Sequence, residues 1–366
     1  MFRYRFALWA GILFMSILVS GLLLLNNEWV LIETPSLHES SRLCEACYPV
    51  HRNSSDHGEL RPDMNFIHVD EISRDLLGER FEDVISTLTV INDKINQVDE
   101  MSLLELLQQS QQDYEGYTYI PGGHWKPKNT TDKSKVALLV PFRNRERTIG
   151  IFLRHMIPFI LRQRLEFGIF VIEQTDSLKF NRAMLMNVGF LEALKFEEWD
   201  CIVIHDVDFI PHYDDNSYTC HSMPRHFLSG LAKRPKVKDF EFNGVTGFTV
   251  RQYRLMNGAP NRYWGWGGED HELRTRAELQ KWKIYRTNYP YGFYDHIPHK
   301  VHARNETEDN WPQFNKEVAE WQFRDGLNNI QYSQPEVTIH PLFVKIEVAL
   351  SELKIKADHR RSKKKT

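Results

Sequence analysis

Three apolar segments alternate with helical patterns along the middle of the chain, at residues 136–140, 167–172 and 201–204. Each segment is short and uninterrupted and leads to a polar cluster, as buried strands of a parallel sheet do. Strands that alternate with helices form a sheet with helices packed on it. We therefore expect an α/β domain with a mostly parallel sheet covered on both faces.

Charged side chains follow the ends of these predicted strands. The carboxyl ends of parallel strands share one rim, and ligands bind beyond it. The residues expected there are Arg143, Arg145, Arg182, Asp206 and Asp208. Because side chains alternate along a strand, Asp206 and Asp208 should project to the same side. Arginines beside paired acids suggest a phosphorylated ligand, whose charge is shared between guanidinium groups and a metal ion.

A loop rich in tryptophan and glycine, with the sequence WGWGGEDHE, occupies residues 264–272. Indoles stack on sugar rings, glycines let the backbone approach a ligand, and a carboxylate beside them can act as a general base. The simpler alternative is a turn that caps the following helix, because acids are favoured at helix N-termini. The loop therefore predicts either a sugar-binding catalytic site or a helix start.

The N-terminus carries an uncharged run of 20 residues, 6–25. As a helix it would be about 30 Å long, which matches the hydrocarbon core of a bilayer. Arg3 and Arg5 precede the run and Glu28 and Glu33 follow it, which places the N-terminus in the cytosol and the rest in a lumen. A cleaved signal peptide is the alternative.

The predicted organisation has five parts. A cytosolic tail (1–5) and a membrane-spanning helix (6–25) come first. Residues 26–114 form a lumenal stem with a helical pattern at 84–107, residues 115–350 the compact domain, and residues 351–366 a basic tail.

Composition narrows the functional classes. With 366 residues and 42% hydrophobic content, the chain can bury a full-sized core. A net charge of −3 provides no overall attraction for nucleic acid, and we expect no nucleic-acid partner. Three sequons, at Asn53, Asn129 and Asn305, are usable for N-glycosylation only in a secretory lumen.

Four cysteines are too few for a disulfide scaffold. In an oxidising lumen a bridge between Cys201 and Cys220 could form. For Cys44 and Cys47, a local bridge, pairing between chains and free thiols all remain open.

Three histidines lie at spacings of three, at His296, His299 and His302, and Pro298 disfavours a regular helix through them. We treat this segment as a loop that brings one or two imidazoles to a metal. Carboxylates favour hard cations, and an added imidazole favours Mn²⁺ over Mg²⁺. A structural zinc site and histidines that bind no metal are the alternatives.

Together these motifs resemble the β-1,4-galactosyltransferase family (glycosyltransferase family 7), inverting enzymes that transfer a sugar from a UDP donor in the Golgi. The resemblance extends over about residues 114–345. It rests on PFRNR at 141–145, FNR at 180–182, NVGF at 187–190, DVD at 206–208, PRH at 224–226, NRYWGWGGED at 261–270 and DGLN at 325–328.

The resemblance assigns roles by position. It implies a GT-A-like, Rossmann-like nucleotide-sugar-binding domain. The residues that would hold UDP and the donor sugar are Pro141, Phe142, Arg143, Asn144, Arg145, Phe180, Asn181, Arg182, Asp206, Val207, Asp208, Trp266 and His299. The metal ligands would be Asp208 and His299, joined by His296 where the family usually has methionine.

The resemblance also defines the acceptor side. Gly268, Glu269, Asp270 and His271 would line the acceptor site, with Asp270 as the general base and Glu269 beside it. Cys201 and Cys220 match a cysteine pair of the family. His271 stands where a further aspartate is common, and residues 241–244 read EFNG where members often read YFGG.

The chain is therefore interpreted as a single-pass type II Golgi enzyme. It would use Mn²⁺ to transfer galactose from UDP-galactose, in β-1,4 linkage with inversion, to a terminal N-acetylglucosamine or related sugar on a glycan. The first alternative is the same fold with UDP-N-acetylgalactosamine as donor. The second is a lumenal sugar-binding or regulatory module with little turnover.

Overall fold

A computed structural model describes residues 22–25, 28–31, 64–95, 97–129, 134–232, 234–298 and 318–351. The chain divides into two compact units, Met1–His57 and Gly58–Thr366. In the first, strands β1 (Leu22–Leu25) and β2 (Glu28–Leu31) pair antiparallel.

The last four residues of the predicted membrane-spanning helix, Leu22–Leu25, thus form a strand. The sequence did not predict this strand, because an unbroken leucine run has no periodicity that distinguishes a helix from a strand. The rest of that segment lies outside the described residues, and no described helix is long and apolar enough to cross a bilayer.

The second unit contains both helices and strands. Its described α-helices are α1 (Val69–Leu77), α2 (Phe81–Lys94), α3 (Glu100–Gln109), α4 (Glu146–Arg162), α5 (Arg182–Ala193), α6 (Val250–Leu255), α7 (Glu269–Leu279) and α8 (Val318–Trp321). Its described strands are β3 (Gln112–Tyr114), β4 (Tyr117–Ile120), β5 (His124–Pro127), β6 (Lys135–Phe142), β7 (Glu166–Gln174), β8 (Cys201–His205), β9 (Phe209–Pro211), β10 (Arg225–His226), β11 (Gly230–Leu231), β12 (Val245–Thr249), β13 (Tyr285–Arg286), β14 (Phe293–His296), β15 (Glu336–Ile339) and β16 (Val344–Val348).

The main sheet is built around β6. It pairs in parallel with β7 on one side and with β8 on the other, and β16 runs parallel to β7. The three strands predicted from apolar runs are therefore confirmed, each slightly longer than the run. Because β7 and β8 lie on opposite sides of β6, right-handed crossovers place α4 and α5 on opposite faces of the sheet.

The prediction of a mostly parallel sheet holds only for this centre. β12 is antiparallel to β8, and β5 is antiparallel to β7. At the β5 edge, tight turns join β3, β4 and β5 into antiparallel hairpins. A hairpin needs no crossover helix, so the helix-strand alternation that signals parallel pairing is missing from those segments.

The predicted stem boundary at residue 114 is wrong. Ile72, Leu77, Val84 and Leu88 on α1 and α2 are buried in the same core as the sheet. The pattern at 84–107 belongs to two helices, since α2 ends at Lys94 and α3 begins at Glu100. An amphipathic stripe has the same spacing whether it packs on its own domain or on another chain, so the pattern did not identify its partner.

The predicted disulfide is present. Cys201, the first residue of β8, is bonded to Cys220 with a Cα–Cα distance of 5.5 Å. Of the three sequons, Asn129 is exposed in a turn, and Asn53 and Asn305 lie outside the described residues. The basic tail from residue 352 onward also lies outside them.

Candidate active site

Several residues predicted for the site lie beyond the carboxyl ends of the central strands. Pro141 and Phe142 are buried at the end of β6. After them the guanidinium of Arg143 donates to the Leu178 carbonyl at 2.6 Å and lies 5.3 Å from the centre of the Phe180 ring. The segments that follow β6 and β7 therefore meet in one wall.

Asn181 and Arg182 fix the next wall. The Asn181 side chain caps α5 by accepting from the Met184 N–H at 3.0 Å and donates to the Asn261 carbonyl at 2.7 Å. Arg182 donates through Nε to Asp206 Oδ1 at 2.6 Å, and its Nη1 lies 3.8 Å from Glu269 Oε1. The Arg182 guanidinium thus joins the end of β8 to the start of α7.

Asp206, Val207 and Asp208 lie in the turn between β8 and β9, not on a strand. The Phe209 N–H closes this turn by donating to the Asp206 carbonyl at 3.2 Å. Side chains do not alternate through a turn as they do along a strand, so the argument from strand alternation that Asp206 and Asp208 project to the same side is wrong. Asp206 pairs with Arg182, whereas Asp208 Oδ2 lies 3.7 Å from Arg145 Nη1.

His296 lies beside Asp208. Strand β14 pairs antiparallel with β9 so that His296 stands opposite Phe209. This register brings His296 Nε2 to 3.3 Å from Asp208 Oδ2. His299 and His302 lie outside the described residues.

The distance between Asp208 and His296 can be compared with the spacing of two ligand atoms on one manganese ion. Two ligand atoms about 2.2 Å from one ion lie about 3 Å apart when they bind at a right angle. The observed 3.3 Å between Asp208 Oδ2 and His296 Nε2 is close to that spacing. One carboxylate and one imidazole are also a donor set that suits Mn²⁺. The residues present therefore fit the predicted ion.

A second cluster of possible ligands, His124, Glu166 and Glu197, lies at the opposite edge of the sheet, where β5, β6 and β7 begin. Two lysines occupy it, with Lys126 Nζ and Lys135 Nζ at 3.1 and 2.8 Å from Glu197. Their hydrogen bonds outweigh the effect of burial and lower the pKa of Glu197 to about 2. The lysine charges already balance the acids, so this cluster is an ion-pair network.

The tryptophan and glycine loop takes a shape that requires its glycines. Gly265, Gly267 and Gly268 have φ values of 88°, 96° and 96°, which side chains with a Cβ rarely adopt. The Gly265 N–H donates to the Phe180 carbonyl at 2.8 Å, which fixes the loop to the segment that follows β7. Trp264 is 8% exposed, whereas Trp266 is 57% exposed. The Trp266 indole is therefore the one available for stacking on a sugar.

The interpretation of the following acids as a helix start is confirmed, because α7 begins at Glu269. Burial and the Asp270 charge raise the pKa of Glu269 to about 7, and Glu269 Oε2 has no hydrogen-bond partner among the described residues. For Asp270, burial acts to raise the pKa, but the hydrogen bond and charge of His271 outweigh it and lower the pKa. At neutral pH Asp270 is the ionised acid of the two.

His271 contacts Asp270 twice. Its N–H donates to Asp270 Oδ1 at 2.8 Å, and its ring Nδ1 lies 2.9 Å from the same oxygen. This hydrogen bond raises the pKa of His271. The ring stacks on Phe240, with centroids 5.9 Å apart. Glu241, the next residue, is bound by Arg234 Nη2 at 2.7 Å.

A buried charge network behind the site was missed from the sequence. Glu272 is fully buried on α7 and accepts from Arg276 Nη2 at 2.8 Å and from Arg262 Nη1 at 3.0 Å. Asp325 accepts from the same Arg262 nitrogen at 2.9 Å. The i, i+4 spacing of Glu272 and Arg276 is a signal for a helical ion pair, but spacing alone does not reveal burial.

Two family models match adjacent parts of the chain. The N-terminal region of glycosyl transferase group 7 matches residues 89–221, and the N-terminal domain of galactosyltransferase matches residues 225–300. Together they include the segments that follow β6, β7 and β8 and the tryptophan and glycine loop.

Three curated relatives illustrate the similarity. Rattus norvegicus β-1,4-galactosyltransferase 6 is 46% identical over 63% of this chain and 60% of its own length. Danio rerio β-1,4-galactosyltransferase 5 is 47% identical over the same shares. Cricetulus griseus β-1,4-galactosyltransferase 4 is 41% identical over 63% of this chain and 67% of its own length. The chain thus spans about three fifths of the first two relatives.

Solved structures are also similar. The catalytic domain of Drosophila β-1,4-galactosyltransferase 7 in complex with xylobiose is 30% identical, with a TM-score of 0.48 over 60% of this chain and 94% of that one. A mutant of the same enzyme, with the same identity, coverage and TM-score, was solved with manganese, UDP-Gal and xylobiose.

Proposed function

This chain belongs to glycosyl transferase group 7, and from that premise we propose that it is an inverting, Mn²⁺-dependent enzyme that transfers galactose from UDP-galactose. The observation that carries the proposal is the ion pairing of Arg182 with Asp206 and Glu269. This contact supports the proposal, because it holds a guanidinium between the end of β8 and the acids that begin α7. The exposed Trp266 indole adds a surface for the sugar.

In the proposed reaction a hydroxyl of the acceptor attacks the anomeric carbon of galactose. Asp270 takes the hydroxyl proton, the new glycosidic bond forms, and the bond to UDP breaks with its electron pair leaving on the diphosphate. A single displacement inverts the anomeric centre. Asp270 suits this role because it is ionised, whereas the raised pKa of Glu269 keeps much of that acid protonated near neutrality.

The leaving UDP needs positive charge around it. Arg143, Arg145 and Arg182 supply guanidinium groups, and Nη2 of Arg182 has no hydrogen-bond partner among the described residues. Asp208 and His296 would hold Mn²⁺, together with His299 from the segment that follows. The bound ion would supply further charge stabilisation of the departing diphosphate.

Donor choice depends on the residues beside Phe240. Glu241 replaces an aromatic that in the family favours galactose over its N-acetyl form, which supports UDP-N-acetylgalactosamine as the second candidate donor. For the acceptor we propose a glycan that ends in N-acetylglucosamine or a related sugar. The uncharged run at residues 6–25 and the sequons support a type II Golgi membrane protein with this domain in the lumen.

The test uses the full chain purified in detergent, assayed with UDP-galactose and UDP-N-acetylgalactosamine against N-acetylglucosamine, xylose and glucose acceptors. We expect transfer in the presence of Mn²⁺, its loss with a chelator, and its loss in Asp270→Asn. Comparison with Glu241→Tyr checks donor choice, since the aromatic should favour UDP-galactose. Normal binding of UDP and Mn²⁺ without transfer to any acceptor would instead support a regulatory or sugar-binding module.

A further inference from the structure

Strand β14, which carries His296, belongs to a small sheet of three strands that is separate from the main sheet. In this small sheet β14 lies between β11 and β9. Asp208 lies in the turn that joins β8 of the main sheet to β9 of the small one. The position of His296 relative to the main sheet therefore depends on how the two sheets are held together.

Buried polar side chains connect the two sheets. His205 is the last residue of β8, and its Nε2 lies 2.8 Å from the Tyr218 hydroxyl. The Tyr218 hydroxyl lies 2.9 Å from the hydroxyl of Tyr294 on β14. Asn216 Nδ2 donates to the same Tyr294 hydroxyl at 2.9 Å. All four residues are fully buried, so the Tyr218 hydroxyl is a bridge between β8 and β14 inside the core.

The protons of this chain all point in one direction. A carbonyl only accepts, so His205 Nδ1, at 2.9 Å from the Asp206 carbonyl, carries the ring proton. Burial lowers the pKa of His205 to about 4, so the ring is neutral at pH 7 and its Nε2 accepts from Tyr218. Tyr294 then donates to the Tyr218 oxygen and accepts from Asn216. Hydrogen bonds aligned in this way strengthen one another, and loss of one hydroxyl leaves buried partners unsatisfied on both sides.

Tyr218 is held in place by its own segment. Its N–H donates to Gln163 Oε1 at 2.8 Å, next to the end of α4. Two residues later, Cys220 is bonded to Cys201 at the start of β8. The Tyr218 hydroxyl is therefore a fixed point, and β14 is positioned against it.

Tyr294 is linked by packing to His296. The two residues are separated by one position on β14, so their side chains lie on the same face of the strand. The ring of Phe209 on β9 packs against both, with centroids 6.4 Å from Tyr294 and 5.2 Å from His296. A displacement of Tyr294 would therefore move the surface on which the His296 ring rests.

We propose that Tyr218 is a positioning residue for the metal site, and that its hydroxyl holds β14 so that His296 can share an ion with Asp208. Groups behind metal ligands commonly orient the ligands in this way. The inference rests on the proposed function, because it concerns the Mn²⁺ that the transfer reaction would use. Tyr218 itself is not a ligand, since it acts through Tyr294 and His296.

The test measures Mn²⁺ affinity by electron paramagnetic resonance of free Mn²⁺, with the full chain in detergent and UDP present. Tyr218→Phe and Tyr294→Phe each remove one hydroxyl and keep the ring. Tyr119→Phe is the matched control, because Tyr119 is equally buried in β4, at the β5 edge, and its hydroxyl donates to the Pro341 carbonyl at 2.6 Å. His296→Ala and the double variant with Tyr218→Phe complete a double-mutant cycle. Thermal unfolding verifies that each variant is folded.

We expect Tyr218→Phe and Tyr294→Phe each to weaken Mn²⁺ binding about tenfold, as changes behind a metal ligand do. Tyr119→Phe should leave the affinity unchanged. The double variant should bind Mn²⁺ no more weakly than His296→Ala alone, because Tyr218 acts through that imidazole.

Parent-like Mn²⁺ affinity in both Tyr218→Phe and Tyr294→Phe would overturn the proposal. An equal loss in Tyr119→Phe, or a loss in Tyr218→Phe that adds fully to that of His296→Ala, would do the same. These outcomes leave the proposed transfer reaction intact. Parent-like affinity in His296→Ala would instead refute His296 as a metal ligand, and with it the role of Tyr218.

Discussion

His271 Nδ1 lies 2.9 Å from Asp270 Oδ1, so the proposed general base is hydrogen-bonded to the residue that follows it in the chain. The contact keeps Asp270 ionised despite its burial. The imidazole also stacks on the ring of Phe240. The proposed base and the proposed acceptor contacts are thereby coupled through the His271 side chain.

Replacing Asp270 should slow the chemical step with little effect on nucleotide binding. General-base assistance contributes about 10²- to 10⁴-fold, so Asp270→Asn should lower kcat on that scale. Steady-state kinetics and calorimetry with UDP measure the two effects separately. Glu278→Gln, an exposed position on the same helix, is the control. Turnover of Asp270→Asn at the parent rate would refute the base assignment.

The pair of His271 and Asp270 should make stability depend on pH. Asp270 raises the pKa of His271 above the usual 6.5, so the folded state binds the imidazole proton more tightly than the unfolded chain. The resulting stabilisation, about 1 kcal/mol for a partly exposed pair, is present from about pH 4 to 6.5. It is lost as the pH rises through the folded pKa of His271.

Denaturant unfolding of the parent protein and of His271→Asn checks this across the same pH range. The parent should be more stable between pH 4 and 6.5, and the two proteins should converge at pH 9. A difference that does not vary with pH would show that the pair contributes no proton-linked stability.

His296 should contribute to Mn²⁺ affinity. Its Nε2 lies 3.3 Å from Asp208 Oδ2, and loss of one imidazole ligand should weaken Mn²⁺ binding about tenfold or more. Electron paramagnetic resonance of free Mn²⁺ in the presence of UDP measures this for His296→Ala. His124→Ala is the control, because the lysine-filled cluster around it should bind no ion. Reduced Mn²⁺ affinity in the control alone would reverse the assignment.

The buried network around Glu272 should be essential for folding stability. Glu272→Ala leaves Arg262 and Arg276 buried without their main counter-charge. Removal of one partner of a buried ion pair costs about 3–5 kcal/mol. Chemical denaturation should show this loss, and Glu278→Gln should stay within about 0.5 kcal/mol of the parent. A loss below 1 kcal/mol in Glu272→Ala would mean that the network is not a stabilising element.

The sequence predicted the parts of the site that depend on local pattern. The strands at β6, β7 and β8 are unbroken apolar runs, and their order placed Arg182 and Asp206 on one rim. The relation between Asp208 and His296 depends on the pairing of β9 with β14, and the sequence predicted the histidine without that pairing. The Glu272 network joins α7 to residues 262 and 325, which no local period connects.

Asn92 on α2 binds Ile339 through both its side-chain groups, at 2.9 Å each, although the residues are 247 positions apart. A truncation designed from the apparent stem boundary would remove this clamp. It would also remove the buried side chains of Val84 and Leu88 and expose the apolar residues of the core that they contact. A soluble expression fragment that keeps the fold intact therefore has to begin before α1, at about residue 64, and a fragment that starts near residue 114 should aggregate.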